Sequence, residues 1–264
     1  MTLQVAILTR HDKARLVAPA LRSLGWHLSE QCSFDTDSLG SFSGERPRFM
    51  SPNECAIRKA AIAVELSGVD VGIGSEGSFS AGPYGLGTFN LELLSCVHVD
   101  AGWAVTGRFY GPADVQRWTL QCPNELGQAL HAVPDGQKLL LQQQHVIHKG
   151  LSVAEARLLA EPLLAKGTVE LSFDLRAHCC PQRQQHIVLA AQDLVARLKS
   201  TCPNCATPGF WPDKALSGLP CGECGAATTL TKLRQASCQR CDYSIDFAVE
   251  AANADAQYCL VCNP

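Results

Sequence analysis

The chain has 264 residues, a hydrophobic fraction of 46% and a formal net charge of -3, which supplies apolar material for a core and no cationic excess for coating nucleic-acid phosphates. No run of about 18 apolar residues is present to span a membrane, and residues 1 to 25 lack the apolar stretch and cleavage site expected of a secretory leader. Of the fourteen cysteines, eight form C-x-x-C pairs near the carboxyl end, a pattern of thiolate-bound zinc in a reducing compartment, the cytoplasm, rather than of disulfides.

Leu3 to Leu8 is a short apolar run that predicts a strand, and Thr9-Arg10-His11-Asp12-Lys13 predicts a polar turn. Leu16, Ala20 and Leu24 then recur at helical spacing up to Gly25, with Pro19 expected to kink this helix or mark its start. Residues 32 to 49 are rich in Ser, Gly and Asp without a sustained period, the pattern of an extended polar loop in which Asp35 and Asp37 suit Asx-turns. Ser51-Pro52-Asn53-Glu54 combines a capping serine, a proline at the first helical position and a glutamate three after the cap, so a helix starts there.

Val69 to Ile73 predicts a second strand, interrupted by Gly72 and ending in the small-residue turn Gly74-Ser75-Glu76-Gly77-Ser78, where backbone can approach a ligand closely. Leu91 to Val99 and Trp103 to Tyr110 read as an antiparallel pair, and Lys138 to Ile147 as a further strand. Ser152 to Glu155 repeats the capping pattern and opens a helix toward Gly167, after which Val169 to Phe173 is a strand. Pro181 opens the clearest amphipathic helix, with Ile187, Ala191, Leu194, Val195 and Leu198 on one face. The alternation predicts an α/β, mixed-sheet core over residues 1 to 199 and a small zinc-ribbon-like domain over 200 to 264.

Cys202/Cys205, Cys221/Cys224, Cys238/Cys241 and Cys259/Cys262 supply two tetrahedral four-cysteine sites with no thiolate left over. A nested pairing is expected. Strand-prone sequence on both sides of Cys238 and Cys241 favours a ribbon of Cys221, Cys224, Cys238 and Cys241, whereas the Pro- and Gly-rich stretch from Cys205 to Cys221 argues against strands there. Cys202, Cys205, Cys259 and Cys262 would close the outer site. Closed all-thiolate sites hold structure and leave no coordination position for chemistry. Lys232, Arg234 and Arg240 give this domain positive charge, but Asp242, Asp246, Glu250 and Asp255 offset it, so contact with nucleic acid through the zinc domain has little electrostatic support.

Function is therefore sought upstream, where polar residues concentrate at Thr9 to Lys13, Asp35 to Glu54, Gly74 to Ser78 and Asp174 to Arg183. In open α/β sheets such segments converge at the carboxyl ends of strands, where lysines and helix N-termini hold phosphates. Glu54 also has a purely local role as the third residue of its capping box. Glu76 has no such local partner and is the stronger candidate for function. His178 beside Cys179 and Cys180 is rejected as a third metal site, because adjacent cysteines are poorly arranged for shared ligation. Arg176 and Arg183 are candidates either for pairing with Asp174 or for ligand recognition.

Thr9-Arg10-His11-Asp12-Lys13, then Glu54-Cys55-Ala56-Ile57-Arg58-Lys59-Ala60, then Gly74-Ser75-Glu76-Gly77-Ser78 resemble, in order and approximate spacing, three motifs of the inosine/xanthosine triphosphate pyrophosphatase superfamily. Cys55 stands at the motif asparagine, and the first turn is one residue shorter than the family's. The resemblance implies a nucleotide-pyrophosphatase-like core that hydrolyses aberrant nucleoside triphosphates to monophosphate and pyrophosphate with Mg or Mn. It would place Thr9, Lys13 and Lys59 on phosphates, Glu54 and Glu76 on the metal and its water, Ser75 and Ser78 along the substrate, and Arg176, His178 and Arg183 near the base. The segments T-D-S-L-G, S-G-E and S-E-G-S-F, followed by the cysteine-rich tail, also look like an uncharacterised bacterial family. The alternative function is a non-catalytic nucleotide-fold binding protein whose zinc domain engages RNA or a protein. A homodimer is compatible with either reading, and neither involves a membrane.

Overall fold

The computed structural model describes residues 3–9, 12–35, 38 and 49–264. Asp37, the Arg10-His11 pair and most of the polar loop after residue 35 lie outside these residues. The chain divides into two compact units, one of Met1–Val99 with Thr106–Val195, the other of Asp100–Val105 with Ala196–Pro264. Among the described residues no helix is long and apolar enough to cross a membrane.

The first unit is mixed α/β and contains two sheets. One has the strand order β2-β1-β3-β4-β5, built from β1 (Leu3–Leu8), β2 (Trp26–Gln31), β3 (Val71–Ala81), β4 (Thr88–His98) and β5 (Trp103–Ala113), the first three residues of β5 being assigned to the second unit. β1 runs parallel to β2 and β3, and β3 pairs antiparallel with β4. Helix α1 (Ala14–Arg22) connects β1 to β2, and α2 (Pro52–Ser67) connects β2 to β3. The chain therefore leaves β1 first to one side and then, through β2, to the other. Right-handed crossovers in opposite directions put the two helices on opposite faces, which makes the β1/β3 boundary a topological switch point.

The second sheet, β6-β9-β7-β8, holds β6 (Arg117–Leu120), β7 (Leu139–Gln143), β8 (Val146–Leu151) and β9 (Val169–Phe173), with α3 (Pro123–His131) and α4 (Val153–Leu164) between its strands. Leu120, Leu126, Leu130, Leu139, Leu141, Ala160, Leu171 and Phe173 form its hydrophobic core. Helix α5 (Pro181–Lys199) follows a single 3-10 turn at Ala177–Cys179.

Local sequence explains the helix ends. Ser51 accepts from the Glu54 amide while Glu54 reaches back to the Ser51 amide, Pro52 takes a first-turn position, and Gly68 closes α2 in the left-handed region at φ 70°. The same reciprocal box operates at Ser152 and Glu155 on α4.

Several boundaries differ from the sequence expectations. Pro19 lies inside α1 and does not mark its start. The half-buried strand β2 went unread because its apolar and polar residues do not alternate cleanly. The single strand expected over 138 to 147 is a hairpin of β7 and β8, turned at Gln144 with φ 54°. Most consequential is β3, which runs on through Gly74–Ser78 without turning. Its glycines serve helix packing. A Cβ on Gly72 or Gly74 would overlap the carbonyl oxygen of Ala60 or Ala56 on α2. Gly74→Ala would also bring that carbon to 2.5 Å from the Ala60 amide nitrogen. It is expected to destabilise the unit by about 1–3 kcal/mol through overpacking, seen as a lower urea midpoint at unchanged m-value.

The second unit carries a three-stranded antiparallel sheet of β10 (Lys214–Ser217), β11 (Thr231–Ser237) and β12 (Ser244–Ala248). β10 lies in the very segment that its prolines and glycines seemed to bar from strand structure. Arg197 pairs with Asp213 at 2.6 Å and lies over the Trp211 ring.

Candidate functional site

β1 ends at Leu8, whose partner on β3 is Gly74, so residues 75 to 78 of β3 run past the end of β1. Asp12, at φ 53°, turns the chain into α1 and makes Lys13 the residue capping that helix. The Lys13 ammonium donates to the Ser75 hydroxyl at 2.7 Å. Lys13 is 7% exposed and Ser75 3%. Among the described residues no carboxylate is in ion-pair contact with this ammonium.

Successive side chains of a strand point to opposite faces, so Ser75 and Glu76 serve different sides of the sheet. On the α2 side, Glu76 accepts from the Lys59 ammonium at 2.6 Å and from the Cys55 thiol at 3.3 Å. On the other side, Gly77 faces Glu92 across the ladder. Glu92 accepts from the Arg183 guanidinium at 2.6 Å and from the Asn90 amide at 3.1 Å. The Asn90 carbonyl in turn meets Nδ1 of His186 at 2.8 Å, and the His186 ring stacks on Phe109 with centroids 4.3 Å apart. Because the Asn90 amide group is committed to Glu92 and the Ser78 carbonyl, His186 must donate from Nδ1, which fixes its tautomer. A Cβ at position 77 would collide with both Arg183 and Glu92, so only glycine lets this ion pair lie against β3.

These charges act on one another. Burial, then the positive charges of Arg183 and Lys59, bring the Lys13 pKa down to about 8, with Glu92 and Glu76 opposing the shift. Burial also lowers the pKa of His186, against the pull of Glu92. Asp174 belongs to a separate buried pair. Burial pushes its carboxyl up, but hydrogen bonds from the Arg176 side chain and amide outweigh this and hold it below the usual carboxylate range.

The residues singled out from sequence thus fall into three groups. Lys13, Ser75, Lys59, Glu76 and Arg183 are mutually connected through contacts or charge at the end of β1, and Thr9 lies buried at its carboxyl terminus. Ser78 is half-buried and offers its carbonyl to Asn90. Glu54, Arg176 and His178 are placed differently. Glu54 is exposed, with its carboxylate engaged by the Ser51 amide and hydroxyl; Arg176 is taken up by Asp174; His178 is exposed on the 3-10 turn. Arg183 pairs with Glu92 and not, as weighed from sequence, with Asp174.

Glu92, Asn90 and His186 were missed. The signal was there in β4, where a carboxylate at an inward position of an apolar strand requires a buried partner.

The same contacts decide how a magnesium ion would fit. Octahedral magnesium takes one or two carboxylates together with waters and phosphate oxygens. Here Glu54 caps a helix, Glu76 holds Lys59 and Glu92 holds Arg183. Among the described residues the arrangement does not fit a resident magnesium ion: Glu54 caps α2 and Glu76 holds Lys59.

The second unit holds the metal-type sites. Cys202, Cys205, Cys238 and Cys241 form one cluster and Cys221, Cys224, Cys259 and Cys262 the other, with all ligand atoms in each within 4.8 Å of one another. Sulfur pairs stand 3.5 to 3.9 Å apart, matching the edge of about 3.8 Å of a tetrahedron with zinc–sulfur bonds of about 2.3 Å. Two metal ions fit here, and the donor set is that of zinc. The pairing is interleaved, first knuckle with third and second with fourth, which corrects the nested expectation. The nested scheme assumed no strand before Cys221, but β10 supplies one and lets the first knuckle join the third. Hydrogen bonds from the Thr207 hydroxyl and amide lower the Cys205 pKa to about 6, so this thiol is prepared as a thiolate ligand.

Residues 137–264 match a protein family described as a domain of unknown function (DUF6671). That stretch takes in α5 with Arg183 and His186 and all eight knuckle cysteines, but neither Lys13 nor Ser75. No curated protein and no solved structure matches the chain.

Proposed function

We propose that the first unit binds and hydrolyses a phosphoanhydride, splitting a nucleoside triphosphate into monophosphate and pyrophosphate. The observation that carries this reading is Lys13, a buried ammonium at a topological switch point whose hydrogen-bond partner is a neutral hydroxyl. Burying a cation without a counter-ion is costly, and an anionic ligand relieves the cost. Lys59 and Arg183 add two more buried cations and Glu76 and Glu92 two carboxylates, so among the described residues the cluster has one positive charge in excess. The amino end of α1, capped by Lys13, would add the favourable end of its helix dipole to the same anion.

Phosphates would displace water from Lys13 and draw Lys59 away from Glu76, and Arg183, held against β3 by Glu92, would keep a fixed position beside them. Magnesium or manganese would arrive on the polyphosphate and not in a cage of protein carboxylates. Zinc in the second unit would keep a structural role.

The test is pyrophosphate release from a panel of natural and deaminated nucleoside triphosphates, with magnesium or manganese, by the full-length, zinc-loaded chain. Turnover is expected to fall by about 100-fold or more in Lys59→Met and Glu76→Gln, the scale for losing one positioned charge contact, while zinc content stays at two ions. A panel left intact would favour a binding protein without turnover.

A further inference from the structure

The crevice holds a hydroxyl and an amine in direct contact. Ser75 Oγ lies 2.7 Å from Lys13 Nζ. The two residues come from different elements, 62 positions apart, and are 3% and 7% exposed. Nucleophile and base within hydrogen-bond reach, both fixed by burial, is the arrangement that activates serine in enzymes using lysine in place of histidine. We propose that Ser75 is a covalent nucleophile and Lys13 its general base, attacking the α-phosphorus of the triphosphate; this rests on the phosphoanhydride reading above.

The step balances without an external oxidant or reductant. Neutral Lys13 accepts the Ser75 proton as the Oγ–P bond forms and the bridging P–O bond to pyrophosphate breaks. The resulting ammonium returns the proton to the departing pyrophosphate. Lys13 then takes a proton from water, which attacks phosphorus, breaks the Oγ–P bond and releases the monophosphate as Ser75 regains its hydrogen. The charged groups acting on Lys13 are Arg183 on α5, Lys59 on α2, Glu92 on β4 and Glu76 on β3. With burial they bring its pKa to about 8, where a useful fraction is the neutral base at physiological pH. Arg183, paired with Glu92 on the same side of β3 as Ser75, suits a phosphoryl centre better than an acyl one, since its charge would stabilise the charge that develops on phosphorus oxygens.

The probe is a small dialkyl fluorophosphonate, in which Oγ–P formation expels fluoride. Incubated with the full-length, zinc-loaded chain, it is expected to leave one adduct, mapped by mass spectrometry to Ser75, at a rate that climbs between pH 6 and 9 and inflects near 8. Ser75→Ala should leave none, and Lys13→Met and Lys13→Arg should each slow labelling by about 100-fold or more. Lys13→Met deletes a buried charge and should melt no lower than the parent at pH 7, so its loss of labelling cannot be assigned to unfolding. An unlabelled Ser75 in the folded chain, or labelling that survives Lys13→Met, overturns the proposal. Pyrophosphate release without an adduct keeps the hydrolase and removes the covalent step, whereas an adduct without turnover of any triphosphate keeps the nucleophile and removes the nucleotide.

Discussion

A chain carrying both Cys202→Ser and Cys238→Ser is expected to bind one zinc ion where the parent binds two. The two cysteines belong to the same four-sulfur cluster, so the double substitution damages one site and spares the other. Under a nested pairing the same pair would fall in different sites and both ions would be lost, so metal content by mass spectrometry separates the two arrangements. The effect on folding should be large. Structural zinc contributes about 10–16 kcal/mol of apparent binding free energy in small domains, and Cys202 and Cys238 are also packed with Phe210 and Ala236 in the core of this unit. The melting transition of the second unit should disappear or fall to a much lower temperature, with the remaining transition still sensitive to chelator. Cys262→Ser, at an exposed ligand of the other cluster, should cost less, because it removes a ligand without opening a core.

Arg183→Leu should be among the most destabilising substitutions in the first unit. Its guanidinium and the Glu92 carboxylate are 3% and 1% exposed as side chains and 2.6 Å apart. Removing one partner leaves a buried charge uncompensated, at a cost of about 3–5 kcal/mol. Glu92→Leu alone should also be costly, since it removes the guanidinium's carboxylate partner. The double substitution should recover much of the loss, because neutral apolar groups need no partner. Urea unfolding of the two singles and the double gives the coupling energy directly. Purely additive losses would mean that the pair does not act as a unit.

What sequence could reveal depended on whether a feature is local. The boxes at Ser51 and Ser152 involve residues three apart, and the helix after Pro181 repeats its apolar pattern over about three turns, so neighbouring residues suffice to read them. Strand β9 coincides with its expected bounds for the same reason. The knuckles were visible one at a time, but which pairs meet depends on β10 joining β11, a contact made across the chain. Gly72 and Gly74 misled because glycine marks either a turn or a close approach, and only the position of α2 distinguishes them. In the candidate site, Lys13 and Glu76 were visible as polar residues in apolar surroundings. Their assignment to opposite faces depends on β3 continuing as a strand, and the Glu92–Arg183 pair joins residues 91 positions apart.

The interleaved order of the knuckles has a consequence for how the second unit assembles. The ion held by Cys202, Cys205, Cys238 and Cys241 ties off a length of chain that contains the second knuckle, and the other ion ties off a length that contains the third. Once either ion is in place, the segment still to be closed is already partly confined, so less chain entropy remains to be lost. Occupancy of one cluster thus favours occupancy of the other, and neither cluster is a cassette that could be cut out of the gene while leaving the other's ring intact.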